Sequence, residues 1–154
     1  MHILVYFLGV VWISLCFAEV EIATEGEHGW AQDLPTWRLP RSNWVSQVFF
    51  NGKPATGYHV WMETFILSMM HFVYVYMPFS ISTELGVLAF FCFFSIVEDF
   101  LWFALNPAWG VKKFRKGMIP WHKKWLWIAP PDYFFLLAVG SALYAASLYL
   151  SSVI

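Results

Sequence analysis

Four long apolar runs alternate with polar stretches along this chain. The runs cover residues 3–22, 58–79, 84–105 and 132–153. A transmembrane α-helix needs roughly 20 predominantly apolar residues, because each residue advances the helix by about 1.5 Å. The pattern therefore predicts an all-α fold, a membrane bundle of four transmembrane helices that forms a single domain over residues 1–154.

The first apolar run also fits a second interpretation, a secretory signal peptide over residues 1–18. Cys16 and Ala18 are small enough for a cleavage site, but the basic residues that begin such a signal are missing. We therefore expect this run to be retained as the first helix.

The connections differ in length and composition. Residues 80–83 leave room only for a tight turn, so the second and third helices should be antiparallel. The connections over residues 23–57 and 107–131 are long, polar and rich in tryptophan. Tryptophan prefers the headgroup zone, so these two connections are predicted to be interfacial segments on one side of the membrane. The last helix carries a stripe suited to close helix packing, formed by Gly140, Tyr144, Ser147 and Ser151.

Composition and charge support a membrane protein and suggest its orientation. The chain is 60% hydrophobic and only 12% charged, and all nine Lys and Arg residues lie in the two long connections. By the positive-inside rule these connections are predicted to be cytoplasmic, with both termini outside. The basic run over residues 112–116 is interpreted as a topology determinant that meets anionic headgroups, which argues against a nucleic-acid partner.

Two acidic residues within the third apolar run are the main indication of function. Glu98 and Asp99 lie in an otherwise apolar segment, where an acid costs roughly 2.5–3.5 kcal/mol near the membrane centre. Helical spacing places them on one stripe with three other residues, Ser95, Trp102 and Asn106. This stripe must face protein, so Glu98 and Asp99 are predicted to point into the bundle.

The serpentine topology gathers further titratable side chains at the same level. His59 and Glu63 begin the second helix and share one face. We expect these two residues to lie within reach of Glu98 and Asp99. Other groups are predicted to lie at or beside this level: Glu19, Glu21, His28, His122 and Asp132. A polar contact that serves only to fix helix packing needs one pair of side chains. The larger number of acids at this level therefore predicts a functional centre.

One chemistry for such a centre is metal binding. Bundles that hold two iron or manganese ions use carboxylates from several helices together with nearby histidines. The predicted ligands, for iron, manganese or zinc, are His59, Glu63, Glu98, Asp99, Glu21 and His122. Glu25 and His28 have the Glu-x-x-His spacing of such sites, but Gly26 and Gly29 argue against a regular helix there.

The same residues could work without metal. A carboxylic acid beside a histidine is a general acid and base pair, and the predicted catalytic residues are Glu98, Asp99, Glu63 and His59. The H-x-x-x-E of the second helix resembles that of sterol isomerases of the emopamil-binding type. The VEDFLWF segment resembles the acidic motif of small membrane lycopene cyclases. Each match covers only those few residues and assigns no family; apolar lipids or isoprenoids would be the natural substrates.

Simpler interpretations exist for several of these residues. Glu25, Glu27 and Asp33 could be solvated acids near the interface, and His122 a plain interfacial residue. His71 is most simply a hydrogen-bonded packing residue. The whole centre could also belong to a non-catalytic membrane subunit or lipid-binding module, in which buried acids fix helix packing or contact a second copy or another subunit.

Overall fold

The computed structural model of this protein describes residues 3–153, which are mainly helical and contain no β-strand beyond two isolated bridges. The helices are α1 (Ile3–Glu25), α2 (Trp44–Val48), α3 (Gly57–Met70), α4 (Ile81–Leu105) and α5 (Pro131–Val153). Two 3₁₀ turns, His71–Val75 and Val111–Lys113, complete the regular structure.

Three of the helices, α1, α4 and α5, are long and apolar enough to cross a membrane. The prediction of apolar helices of membrane-spanning length is confirmed for the first, third and fourth apolar runs. The predicted second span, residues 58–79, is wrong in extent, because α3 ends at Met70 and only a 3₁₀ turn follows. Pro78 accounts only for the last residues of the predicted span, since proline disfavours the helical conformation of residue 77 and lacks the N–H that a helix needs.

Helices α1 and α4 lie side by side and run in the same direction. The Tyr6 hydroxyl donates to the Gly86 carbonyl at 2.8 Å, and the Ser14 hydroxyl donates to the Phe94 carbonyl at 3.3 Å. The two residues of each bond are separated by the same number of positions in the sequence, so the helices are parallel. The buried residues of α1 recur every three or four positions and so form one face of the helix. They are Tyr6, Val10, Ser14, Ala18, Glu21 and Glu25.

Helix α5 packs antiparallel on the other side of α4. Gly140 lies against α4 so closely that an added Cβ would come within 3.0 Å of the Cys92 Cβ. Further along, the hydroxyl of Ser147 donates to the Ser82 carbonyl at 2.8 Å, and the Ser82 hydroxyl donates back to the Ser147 carbonyl at 2.9 Å. The small residues predicted for close packing therefore form the α4–α5 contact.

The parallel arrangement of α1 and α4 requires the chain to return across the bundle between them. Helix α3 and its 3₁₀ turn make this return. At one end His59 meets Glu25 of α1, and at the other His71 Nε2 lies 3.0 Å from Glu84 Oε1 near the start of α4. The two long connections consequently lie at one end of the bundle.

The first connection, which follows α1, folds up against the bundle. Ala31 and Thr56 are fully buried, and the Trp30 indole N–H donates to the Pro54 carbonyl at 2.9 Å. Trp121 of the second connection is also buried, in an aromatic cluster with Trp102 of α4. Parts of both connections therefore pack against the helices and close this end of the bundle.

Candidate functional site

A cavity of about 590 Å³ lies at the end of the bundle that the long connections close. Residues from four helices line it. The titratable ones among them are Glu21 and Glu25 of α1, His59 and Glu63 of α3, Glu98 and Asp99 of α4, and Asp132 and Tyr133 of α5. The structure thus brings the four predicted catalytic residues to one cavity.

His59 is held by three neighbours. Its ring stacks on Trp30 with centroids 4.1 Å apart, and its Nδ1 lies 2.7 Å from the Thr56 hydroxyl oxygen. Thr56 caps α3 by accepting the backbone N–H of His59 at 3.2 Å, so its own hydroxyl proton is free to donate to Nδ1. This network assigns the remaining ring proton to Nε2, which lies 3.4 Å from Glu25 Oε1.

The interpretation of Glu25 as a solvated acid near the interface is wrong. Glu25 is buried, and its Oε1 accepts the backbone N–H of Ala31 at 2.5 Å. The reason is that α1 continues for one turn beyond the predicted end, which keeps Glu25 on the inward stripe. The chain then turns back at Gly26, whose φ of 68° suits glycine. Glu27 and Asp33 are exposed, as expected for solvated acids.

Asp99 contacts α5 and the second connection instead of the predicted partners on α3. Its Oδ2 accepts the hydroxyl of Tyr133, and the same oxygen lies 3.3 Å from His122 Nε2. That imidazole is buried, so the interpretation of His122 as a plain interfacial residue is wrong. The aromatic cluster formed by Phe103 and Trp121 covers the His122 ring and keeps it from water.

Several acid oxygens in the cavity have no hydrogen-bond partner among residues 3–153. They are Glu21 Oε1, Glu63 Oε2, Glu98 Oε1 and Asp132 Oδ1. The carboxyl groups of Glu21 and Glu98 also face each other across the α1–α4 contact. Buried polar atoms are normally paired, and neighbouring buried acids repel unless a proton or a cation lies between them. A proton, a cation, a water molecule or a polar ligand group would satisfy these oxygens.

The predicted metal ligands are distributed over separate contacts. Within the described part of the chain, no group of three or more His, Cys, Asp or Glu side chains is arranged to hold a metal ion. Glu21 faces Glu98, and Asp99 lies 3.3 Å from His122, whereas His59 contacts Glu25. This arrangement gives no support to the predicted metal centre.

Other titratable residues singled out in the sequence lie away from the cavity. Glu19 is exposed on the outer face of α1, one residue out of register with the buried stripe. His28 is exposed and contacts Asp33, whose carboxylate raises the pKa of the imidazole. His71 pairs with Glu84 at the opposite end of the bundle.

Sequence reasoning missed Lys53 and the roles of Trp30 and Tyr133. The Lys53 Nζ lies 3.8 Å from Asp132 Oδ2 and 4.5 Å from the centre of the Trp30 ring. Nothing in the local pattern distinguishes Lys53 from the other basic residues of the connections. The Tyr133 bond to Asp99 could have been suspected, because a tyrosine at the start of the last helix lies at the level of the acids.

The arrangement can hold and move protons within an amphipathic cavity, and Trp102 adds an indole N–H without a partner among the described residues. Comparison with protein-family models, with curated proteins and with solved structures finds no match to this chain, so its function rests on the chemistry of this cavity.

Proposed function

We propose that this protein is an integral membrane enzyme that isomerises or cyclises an apolar lipid, such as an isoprenoid, by general acid and base catalysis. The observation that carries the proposal is the set of buried acid oxygens without partners that line a cavity of about 590 Å³. This volume is within the range of about 300–1,000 Å³ that is typical of small-molecule sites.

The cavity lining suits a substrate that is mostly apolar. Apolar side chains from three helices contribute beside the acids, among them Met62, Phe91 and Leu136. The Trp102 indole N–H is available to a single polar group of the ligand. Burial of the apolar body would contribute about 25 cal/mol per Å² of area removed from water.

The proposed reaction is a proton transfer that leaves the composition of the substrate unchanged. Glu98, which faces Glu21, donates a proton to one carbon of a C=C bond and leaves a cation on the other carbon. Glu63, whose Oε2 has no partner among residues 3–153, then removes a proton from a neighbouring carbon, and a new C=C bond forms. The proton returns from Glu63 to Glu98 within the cavity that both residues line. The two protons exchanged with the protein cancel, so no oxidant, reductant or co-reactant is needed.

Asp99 has a positioning role in this scheme. Because its Oδ2 is engaged by Tyr133 and lies beside His122, it is less available for proton exchange than Glu98. Its negative charge faces the cavity, where 26% of its side chain is exposed, and would stabilise a cationic intermediate.

The substrate would enter from the bilayer. The outer faces of α1, α4 and α5 are apolar, and we propose that α3 with its 3₁₀ turn completes a bundle of four crossings. In this arrangement the end that carries the basic connections is cytoplasmic, and the cavity opens at that level of the membrane.

Deuterium incorporation tests the proposal. Membranes that contain the full-length protein are incubated in D₂O with a mixture of isoprenoids and sterols, and carbon-bound deuterium is measured by mass spectrometry. We expect incorporation into one lipid class with the wild type. Glu98→Gln should reduce it at least a hundredfold, in keeping with the usual contribution of a general acid.

Glu19→Gln is the matched control, because Glu19 is an acid of the neighbouring helix that points away from the cavity. It should keep wild-type incorporation. Glu63→Gln provides a second cavity variant should Glu98→Gln fail to fold. Incorporation that is equal in wild type and both cavity variants, or that is absent from all lipids offered, would overturn the proposal.

A non-catalytic lipid-binding module is the second candidate, favoured by the two contacts that tie separate elements together. Tyr133 of α5 bonds Asp99 of α4, and His59 of α3 contacts Glu25 of α1. Polar contacts of this kind can fix helix packing without any reaction. Saturable lipid binding without deuterium incorporation would decide for this second function.

A further inference from the structure

A second, smaller pocket of about 210 Å³ adjoins the cavity on the side of the connections. The two share four lining residues, Gln47, Asn51, Lys53 and Trp121. The smaller pocket is basic. Its charged lining residues are Arg41, Lys53, Lys123 and Lys124, and no acidic residue of the described chain lines it.

Folding brings these cations together from two distant parts of the sequence. Arg41 and Lys53 belong to the first connection, whereas Lys123 and Lys124 belong to the second. Among residues 3–153, Lys53 is the only Lys or Arg with a carboxylate within ion-pair distance. Four neighbouring positive charges with one carboxylate nearby create a positive potential that an anion would neutralise.

Lys53 joins the two sites. Its side chain is only 12% exposed and lies over the Trp30 ring, with the ammonium group 3.8 Å from Asp132 Oδ2. The same residue lines the acid cavity and the basic pocket. A ligand that filled both spaces would pass Lys53 with its charged end in the basic pocket and its apolar body among the helices.

We propose that the basic pocket binds a phosphate-type anionic group, and that this group is the head of the amphiphile whose body occupies the cavity. Arginine and lysine donors suit phosphate oxygens, and Gln47 and Asn51 add amide groups at the rim. The identity of the bound body rests on the proposed function, whereas binding of the anionic head can be measured without turnover.

The test uses purified full-length protein in an uncharged maltoside detergent, with Trp fluorescence as the signal because Trp121 lines both spaces. Three probes are titrated: dodecyl phosphate, dodecanol and inorganic phosphate. We expect saturable binding of dodecyl phosphate and at least tenfold weaker binding of dodecanol. The double variant Lys123→Gln/Lys124→Gln should weaken dodecyl phosphate binding at least tenfold.

The matched control is Lys112→Gln/Lys116→Gln. These lysines are exposed, belong to the same connection and lie outside the pocket, and the net charge changes by the same amount. The control should bind dodecyl phosphate as the wild type does. Equal weakening in both double variants, or equal binding of dodecanol and dodecyl phosphate, would overturn the inference.

Inorganic phosphate distinguishes the two sources of the anion. If it competes only at much higher concentration than dodecyl phosphate, the ligand is a lipid head. If it competes equally and with the same dependence on Lys123 and Lys124, the pocket is a site for free phosphate. If the wild-type protein incorporates deuterium into a lipid but does not bind dodecyl phosphate, this inference alone is rejected. If it binds dodecyl phosphate but incorporates no deuterium, only the catalytic proposal is rejected.

Discussion

His59 lies flat against Trp30, with ring planes 22° apart and ring centroids separated by 4.1 Å. The histidine belongs to a helix and the tryptophan to the connection that folds beneath it. Trp30 has a positive φ of 50° and is fixed by its bond to the Pro54 carbonyl. An irregular segment therefore positions one of the central side chains of the candidate site.

Glu25→Ala should lower the thermal stability of the protein. The change removes the acceptor of the Ala31 N–H and the partner of His59 Nε2, both of which are buried. A buried donor left without its partner costs about 1–3 kcal/mol. Thermal unfolding in detergent should show a lower midpoint for Glu25→Ala than for Glu19→Ala, the exposed control on the same helix. Equal midpoints would contradict the contact.

Glu21→Gln and Asp99→Asn should have opposite effects on stability. Glu21 faces Glu98, so an uncharged side chain removes repulsion between buried acids, and the unfolding midpoint should stay the same or rise. Asp99 faces His122 and accepts the Tyr133 hydroxyl, so its neutralisation should cost about 1–3 kcal/mol. If Glu21→Gln were the more destabilising of the two, it would be wrong to regard Glu21 as an acid without a stabilising partner and Asp99 as an acid with one.

Gly140→Leu should weaken the contact between α4 and α5. Even a single added carbon would approach Cys92 Cβ within 3.0 Å and Phe93 within 3.1 Å, and overpacking of this kind typically costs about 1–3 kcal/mol. Ala142→Leu, on the exposed face of the same helix, is the control. The unfolding midpoint should fall only for Gly140→Leu, and a fall of the same size in the control would disprove close packing as the cause.

Cysteine labelling should place the two ends of the bundle on opposite sides of the membrane. The background lacks the two free cysteines, Cys16 and Cys92. In intact cells an impermeant maleimide should label Ser152→Cys, near the end of α5, and should label Lys116→Cys only after permeabilisation. The reverse pattern would invert the proposed orientation, and labelling of both from outside would exclude α5 as a span.

Sequence alone was enough to predict three helices long and apolar enough to span a membrane, and the inward face of α4. Long apolar runs predict spans without tertiary information, because every backbone polar group in lipid must be satisfied within a helix. The cost of acids in lipid likewise directs Glu98 toward protein, and it is buried in the structure. The end of α3 was mispredicted, because the apolar run continues to residue 79 and no glycine or proline marks Met70 as the end of the helix.

Which acids are paired depends on how the helices and the connections pack together. Glu98 and Asp99 are adjacent in sequence, yet one faces Glu21 of α1 and the other meets Tyr133 and His122. Neighbouring positions on a helix point about 100° apart, so their partners depend on which elements pack on each side. Glu25 and Lys53 joined the site for the same kind of reason: their burial depends on how the first connection folds beneath the bundle, which no local spacing encodes.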